Sequence, residues 1–468
     1  MMRALAAAAI AATLALGPRS DQAPKPLAYS RSVLPNGLVL LVSEDHSVPL
    51  VAIEVSYHVG SMVDTPGHTG YAHLFEHMMS EGSRDLAPGE YKSVIQRAGG
   101  FNQGATDPDR QTYRTVVASN MLPAVLWMEA DRMATLMERV DQQRLDAERA
   151  IVQSERLQQI ENIPFGAANL LTLAAIYPPG HPFHQSPIGT PADLASASLG
   201  DLRAFFTKYY VPNNAVVSIC GDVTPAAARE LVTRYFAPVP RGAAVSESSP
   251  QLVRMSSDQR WVLQDPRGVA PRLRLAWPTV GYSNADKFAL EALSALLGSD
   301  RGGRLRQSLV GPAPLAAAVR VGHYDNEKNG VFQIDIFGRP GTSLTQLERG
   351  VDSVLNDIAA HPPTARDIRD YSNRLADSTV VGLEAESERA DMMAMGEQFA
   401  HDPVDYQRQL AARERLTPAD LLRAAARYLQ APRMVMSMVP AGKLDEISKP
   451  DLPFVDVTSR TSTVGGAQ

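Results

Sequence analysis

Residues 70–79 read Gly70-Tyr71-Ala72-His73-Leu74-Phe75-Glu76-His77-Met78-Met79. The apolar residues of this stretch recur at helical spacing, which predicts a helix with one apolar face. His73 and His77 are four residues apart, so on a helix they lie on one face about a turn from each other. The stretch therefore places two imidazoles together on an otherwise apolar helix, with the carboxylate of Glu76 beside them.

These residue types are the ones that a zinc site uses. Zinc suits two neutral imidazoles and a carboxylate, with one position left for a water whose pKa the metal lowers to about 7. Glu76 is placed to take the proton of the attacking water. The order H-x-x-E-H is the inverzincin signature. The alternative is three solvated or core-satisfied polar residues, which an apolar helix disfavours because buried imidazoles and carboxylates need a metal or a partner.

A third ligand is expected on a second helix, predicted over 142–161 after an N-cap at Asp141. Glu148 and Glu155 are seven residues apart on it, so two helical turns bring them to one face. One carboxylate could bind zinc while the other orients a ligand histidine or the substrate. Spacing does not choose between the two, and an ordinary charged helix face would look the same.

The segments around these helices predict an α+β fold. Apolar, β-branched runs at 37–43 and 51–58 predict strands, and 101–118 predicts extended chain. Helical patterns follow at 121–139 and 142–161. Strands and helices then recur in a similar order in the second half, which indicates divergent copies. We expect two homologous domains, each a mostly antiparallel sheet with helices packed on it.

Composition divides the chain into five parts. A short basic start and an uncharged apolar run predict a signal peptide whose cleavage point stays uncertain. The run is too short for a comfortable membrane span, although an uncleaved anchor is the alternative. The expected parts are a signal peptide at 1–23, a zinc-binding catalytic domain at 28–240, a linker at 241–256, a second domain lacking a metal site at 257–456, and a disordered tail at 457–468.

Composition and charge also bound the function. The 468 residues are 44% hydrophobic, which is enough to bury more than one core. The net charge of −6 favours neither a nucleic-acid partner nor an anionic membrane, since both prefer a basic face. Cys220 is the only cysteine, so no internal disulfide can form. We expect an exported, periplasmic protein without a stable membrane anchor.

Four further segments extend the pattern across the mature part of the chain. They are Gly99-Gly100-Phe101-Asn102-Gln103-Gly104-Ala105-Thr106, Pro187-Ile188-Gly189-Thr190, Tyr209-Tyr210-Val211-Pro212-Asn213-Asn214 and Gly221-Asp222-Val223. Together with the histidine motif, they resemble the pitrilysin family of inverzincin zinc metallopeptidases. Within that family the chain is similar to the zinc-bearing subunit of the bacterial two-subunit type, which is like mitochondrial processing peptidase.

The resemblance implies roles for the residues that composition and spacing leave open. It makes Glu155 the third ligand beside His73 and His77, with one Zn²⁺ per chain, and it makes Glu148 a supporting catalytic carboxylate next to the base Glu76. It also implies an edge strand beside the zinc that binds extended peptides through its backbone. The substrate-binding residues are then Phe101, Asn102, Gln103, Gly104, Ala105 and Thr106.

One part of the family pattern is missing. Family members use an arginine and a tyrosine, seven residues apart in the second domain, to bind substrate and steady the tetrahedral intermediate. Val310 and Ala317 fall at these positions, and neither side chain donates a hydrogen bond. Losing such donors costs on the order of a hundredfold in rate. A slip of the alignment would offer Arg304 or Arg306 with Tyr324 instead.

The resemblance therefore implies a heterodimer in which a homologous, zincless subunit supplies the Arg/Tyr pair and closes a two-subunit chamber. We expect an exported zinc-dependent endopeptidase that hydrolyses peptides or unfolded segments. The alternatives are a non-catalytic scaffold subunit of the same fold and a zinc-binding protein without catalysis. A scaffold has no need to retain a base beside two ligands, which favours the peptidase.

Overall fold

The computed structural model describes residues 27–245, 251–300, 302–312 and 314–462. The predicted signal peptide and part of the predicted linker, 246–250, lie outside these residues. The strands are β1 (Ser30–Val33), β2 (Val39–Glu44), β3 (Leu50–Tyr57), β4 (Phe101–Thr106), β5 (Gln111–Ala118), β6 (Ala215–Gly221), β7 (Gln259–Asp265), β8 (Arg272–Val280), β9 (Ala316–Asp325), β10 (Asn329–Gly338), β11 (Met434–Pro440) and β12 (Val455–Asp456).

Helices lie in groups between these strands, and the second predicted long helix is continued by a π turn at Leu157–Glu161. The helices are α1 (Tyr71–Met78), α2 (Glu90–Arg97), α3 (Leu122–Thr135), α4 (Gln142–Arg156), α5 (Ala168–Ile176), α6 (Pro191–Ser196), α7 (Leu199–Tyr209), α8 (Pro225–Phe236), α9 (Asp286–Gly298), α10 (Arg304–Val310), α11 (Leu344–Ala360), α12 (Ala365–Glu384), α13 (Glu386–Ala400), α14 (Asp405–Glu414) and α15 (Pro418–Ala424).

The strands form two six-stranded sheets that share one design. The first has the order β1-β2-β6-β3-β5-β4 and the second the order β12-β7-β11-β8-β10-β9. In the first sheet β2 is parallel to β6, in the second β7 is parallel to both β11 and β12, and the other neighbours are antiparallel. This confirms the predicted α+β architecture of two mostly antiparallel sheets with helices.

The hairpin of β4 and β5 ends the first sheet, so the segment predicted as extended is two paired strands. Its register pairs Gly104 with Tyr113 and Thr106 with Gln111. Cross-strand partners point to the same face of a sheet, and this face meets α1. A side chain at Gly104 would bring its Cβ within 2.9 Å of the Glu76 carboxylate. The edge strand and the histidine helix are therefore in direct contact.

One helix from each half of the chain packs against the sheet of the other half. Helix α13, from the second half, buries Met393 against Cys220 and Ala52 of the first sheet. Helix α5, from the first half, buries Leu171 in a cluster with Met436 of the second sheet. We call this arrangement the helix exchange. It joins the halves through apolar contacts, which are the dominant stabilising term in folding.

Replacing Met393 with alanine tests the helix exchange. The side chain is fully buried, so its loss should lower the free energy of unfolding by about 2–5 kcal/mol, as large-to-small core substitutions do. Urea denaturation would measure the change. Met392→Ala, at the half-buried neighbouring position on the same helix, is the control and should cost clearly less. Equal, small losses for both variants would contradict the packing described here.

Ordered structure continues beyond the boundary predicted for the tail. Val457, where the sequence suggested that a disordered tail begins, is fully buried in the cluster that contains α5. Residues Thr458–Ser462 form a 3-10 helix, and 463–468 lie outside the described residues. Among the described residues, ordered structure therefore continues past 457 to 462, because Val457 packs into this core. Among the helices of the described residues, none is both long and apolar enough to cross a bilayer.

Candidate metal centre

The position of α1 is set by a close approach of two glycines. Gly70 precedes the helix with φ +82°, a conformation that glycine adopts without strain. A Cβ on Gly70 would lie 2.8 Å from the Cα of Gly189, so the two loops touch through their backbones. Asp64 then accepts a hydrogen bond of 2.8 Å from the Gly70 amide. The helix that carries the histidines is thereby anchored at its start.

His73 and His77 of α1 converge with Glu155 of α4. The Oε2 atom of Glu155 lies 3.6 Å from Nε2 of His73 and 3.3 Å from Nε2 of His77. These three ligand atoms all lie within 4.8 Å of one another. Ligands placed tetrahedrally at zinc–nitrogen and zinc–oxygen bond lengths are about 3.3 Å apart. The distances and the donor types therefore fit zinc and leave a fourth position for water or substrate.

Glu148 lies on the other side of His77. Its Oε2 atom is 3.3 Å from Nδ1 of His77, the ring nitrogen that points away from Glu155, and its side chain is buried. A carboxylate on that nitrogen fixes the ring and its tautomer, which leaves Nε2 free to bind a metal. The structure thus separates the two carboxylates that spacing alone left equivalent. Glu155 faces the cluster, and Glu148 supports one of its ligands.

The pKa values of the two histidines shift in opposite directions. Burial, and then the neighbouring His77, lower the pKa of His73 to about 4, so His73 is neutral and able to bind a metal at neutral pH. Burial also lowers the pKa of His77, but the hydrogen bond with Glu148 and the nearby carboxylates outweigh it and raise that pKa above its ordinary value. Burial raises the pKa of Glu76.

Thr106 holds the carboxylate of Glu76. Its hydroxyl donates a hydrogen bond of 2.6 Å to Oε2 of Glu76. Sequence reasoning placed Thr106 among the substrate-binding residues, whereas its side chain is engaged with the candidate base. Only the backbone of this residue is left to contact a peptide.

Sequence reasoning missed Gln111, the residue behind Thr106. Its Nε2 donates to the Thr106 hydroxyl at 2.8 Å and to the carbonyl oxygen of Ala72 in α1 at 2.5 Å. Its Oε1 accepts hydrogen bonds from the hydroxyls of Tyr113 and Tyr210. Every polar atom of the Gln111 amide group is thus bound, which orients it. No sequence signal identified Gln111, because its role depends on the strand register that sets it opposite Thr106.

Replacing Thr106 with valine should slow hydrolysis by about 10- to 100-fold, because a hydrogen bond to a charged group is worth about 1.5–3 kcal/mol. The loss should appear in kcat, with KM little changed, since valine keeps the shape of the strand. Thr106→Ser keeps the hydroxyl and is the control. Steady-state kinetics on one quenched fluorescent peptide would measure both variants. Full activity in the valine variant would show that Glu76 needs no such support.

The predicted substrate strand, β4, lies at the edge of its sheet. Its far side pairs with no other strand among the described residues, so its backbone groups are open to an added strand. Phe101 is 57% exposed, and Gln103 is also exposed. Asn102, Gly104 and Ala105 are half-buried. The strand is placed to pair with an extended peptide along the candidate metal centre.

The second half holds the positions assigned to the missing arginine and tyrosine. Val310 ends α10, and Ala317 is exposed on β9, the edge strand of the second sheet. Of the alternative donors, Arg304 donates to the carbonyl oxygen of His361, and Tyr324 is 60% exposed on β9. Apolar side chains therefore stand at both positions where hydrogen-bond donors were expected in the family.

A second group of candidate ligands lies in the half predicted to lack a metal site. Glu291, His323 and Asp325 each offer an atom within 4.8 Å of the others. The Nζ atom of Lys287 lies 2.8 Å from Asp325 and 3.7 Å from Glu291, and Arg413 lies 2.7 Å from Glu291. Two cationic side chains thus already neutralise the carboxylates. This arrangement favours a network of ion pairs over a metal.

Two family models match separate parts of the chain. Residues 39–174 match the model described as "Insulinase (Peptidase family M16)". Residues 196–375 match the model described as "Peptidase M16 inactive domain". The first match contains the histidine helix and the two carboxylates of α4. The second begins at the end of α6 in the first half, runs into α12 of the second half and contains no such motif.

Curated relatives and solved structures agree with these matches. "Zinc protease PqqE" of Helicobacter pylori is 27% identical over 408 residues, which are 85% of this chain and 89% of the relative. "Mitochondrial-processing peptidase subunit beta" of Blastocladiella emersonii is 24% identical over 272 residues, 57% of this chain and 56% of the relative. The crystal structure of a protease from Helicobacter pylori superposes with a TM-score of 0.82 at 23% identity, over 89% of this chain and all of that one.

A peptidase M16 inactive domain from Pseudomonas fluorescens has the same fold. Its crystal structure superposes with a TM-score of 0.78 at 19% identity, over 89% of this chain and 98% of that one. The fold therefore occurs both in a protein described as a protease and in one described as inactive. Similarity of fold alone does not decide between these roles, so the side chains of the site must.

Proposed function

Because this chain belongs to the M16 peptidases, the pitrilysin family, we propose that it is a zinc-dependent endopeptidase. Several relatives are named zinc proteases, which supports the metal and the reaction class. The observation that carries the proposal is the convergence of His73, His77 and Glu155 at 3.3–3.6 Å, with the carboxylate of Glu76 on the same helix. A scaffold subunit would not need this set.

Each residue of the site has a separate role in the proposed hydrolysis. Zinc held by the two histidines and Glu155 would supply Lewis-acid activation of water and of the substrate carbonyl. Glu76 takes the proton of the attacking water and returns it to the leaving amine. Its burial raises its pKa, which makes it a better proton acceptor. Thr106 holds the carboxylate in place, and the backbone of β4 aligns the peptide.

We propose further that the chain works with a homologous, zincless subunit in a closed chamber. Support comes from Val310 and Ala317, which leave the second half without the donors that would stabilise a tetrahedral intermediate. The match of residues 196–375, which include both of these positions, to an inactive-domain model is in line with such a division of roles. We also propose export to the periplasm through the apolar segment at 1–23, which a cell fractionation experiment would test.

Hydrolysis of a quenched fluorescent peptide mixture tests the peptidase and its partner together. The zinc-loaded chain alone should turn over slowly, and adding the homologous subunit should raise the rate on the order of a hundredfold, the usual worth of oxyanion donors. A chelator should abolish both rates. Rapid turnover by the chain alone would contradict the partner proposal. Zinc bound without turnover in either sample would favour the alternative of a zinc-binding protein without catalysis.

A further inference from the structure

A cavity of about 210 Å³ opens beside the candidate base. Glu76 and His77 line one side of it, and the exposed Lys92 stands at its mouth. Its inner wall is made by the buried side chains of Tyr113 and Arg132. The cavity therefore runs from the site of hydrolysis towards a buried cation.

Arg132 is held in one orientation at the inner wall. Its Nε and Nη2 atoms donate to the two carboxylate oxygens of Glu129, at 2.7 and 2.6 Å. Its guanidinium lies over the rings of Tyr91 and Tyr113, 4.8 and 4.3 Å from their centroids. Its third nitrogen, Nη1, makes no hydrogen bond to any residue that the structure describes. The Nη1 atom is thus a rigidly held, positively charged donor that is available to a ligand.

The carboxylate that pairs with Arg132 does not face the cavity. Glu129 is 1% exposed, is not part of the cavity wall, and also accepts a hydrogen bond of 2.7 Å from Tyr91. Among the described residues that line the cavity, Glu76 is the only acidic one, and Arg114, a further cation in the wall, already pairs with Glu54. A ligand in the cavity would therefore meet Arg132 at the inner end and Lys92 at the mouth, with one carboxylate at the side that faces the metal ligands.

A peptide on β4 would reach this cavity with one side chain. Successive side chains of a strand point to opposite faces, so those of an added strand alternate between the α1 side and the other side of the sheet. Asn102 and Gly104, on the α1 side of β4, contribute to the cavity wall. A substrate residue beside the cleaved bond, with its side chain directed to the α1 side, enters the cavity.

We propose that this cavity is a specificity pocket for an acidic side chain, glutamate or aspartate, next to the cleaved bond. The inference rests on the proposed peptidase function. A carboxylate can accept from Arg132, because hydrogen bonds with both partners charged are the strong ones. A lysine or arginine side chain would instead bring a cation against Arg132, and this repulsion excludes it.

A peptide series tests the pocket on the full-length, zinc-loaded protein with its partner subunit. The peptides differ only in having Glu, Gln, Leu or Lys at one of the two positions flanking the cleaved bond. At one of these positions, kcat/KM should be about tenfold higher for Glu than for Gln, and lowest for Lys. Equal cleavage of the four peptides at both positions would overturn the pocket and leave the peptidase proposal intact.

Two variants test whether a preference for the Glu peptide over the Gln peptide arises from the cavity. Lys92→Glu changes an exposed residue and should reduce the preference for Glu over Gln several-fold, whereas Lys208→Glu, an exposed lysine on α7, should not. The double variant Glu129→Gln with Arg132→Gln removes both buried charges together, so neither is left unpaired, and should abolish the preference. A preference unchanged in both the Lys92 variant and the double variant would overturn the proposal.

A binding measurement distinguishes an error in the pocket proposal from an error in the peptidase proposal. Fluorescence anisotropy with the chelator-treated chain reports peptide affinity without turnover. Tighter binding of the Glu peptide than of the Gln peptide, lost in the double variant, would support the pocket even if no peptide were cleaved. Equal binding of the two peptides, together with no cleavage, would overturn both proposals.

Discussion

Replacing Glu76 with glutamine is expected to abolish peptide hydrolysis while zinc stays bound. Glutamine keeps the size of the side chain but cannot take a proton, and general-base catalysis is worth about 10²- to 10⁴-fold. The ligand set of His73, His77 and Glu155 does not include this residue, so the metal content should not change. Quenched-peptide kinetics and metal analysis of the purified variant would measure the two effects.

The control for this experiment is an exposed glutamate outside the candidate metal centre. Glu230 is exposed on α8, pairs with Arg234 and has no place in the ligand set, so Glu230→Gln should keep most of the activity. Unchanged turnover in the Glu76 variant would remove Glu76 from the role of base. Loss of zinc together with activity would mean that the residue holds the metal instead.

Exchanging the two carboxylates of α4 for amides, one at a time, should give different losses of zinc. Glu155→Gln removes a direct ligand, so zinc should be lost in the presence of a mild chelator, and hydrolysis with it. Glu148→Gln removes the partner of His77 Nδ1, and such supporting groups are worth about 10- to 100-fold in metal affinity. Competition with a fluorescent zinc indicator would give both affinities.

The pair of variants is its own control, since each keeps the side-chain length and removes one charge from the same helix. Equal losses of affinity would contradict the division of roles between Glu148 and Glu155. A larger loss in Glu148→Gln would reverse it. Circular dichroism of both variants should match that of the unmodified chain, because neither carboxylate is needed to form α4.

The parts of the site that depend on local order could be predicted from the sequence. His73, Glu76 and His77 share one short helix, and the 3.6-residue period alone brings them together. The third ligand was harder to predict, because the packing of α4 on α1 decides which of Glu148 and Glu155 faces the histidines. Spacing left that open, and the resemblance to the family supplied an assignment that the packing is consistent with.

The supporting residues could not be predicted in this way. Gln111 acts through the register of the β4–β5 hairpin and through a hydroxyl from Tyr210, 99 residues away along the chain. Arg132 reaches the cavity only because α2 and β5 supply the rings on either side of it. Val457 was assigned to a tail because its burial depends on the second sheet and α5. Such contacts are set by tertiary packing and leave no local pattern.

The helix exchange has a consequence for how such a chain can evolve. A protein made of two similar halves looks modular, as though recombination could replace one half and leave the other intact. Here each sheet is partly covered by a helix encoded in the opposite half, with Met393 and Leu171 at the two contacts. A half taken from another protein would carry a helix that fits the sheet of its original partner half and not the sheet of this chain. Selection therefore acts on the two halves as one heritable unit.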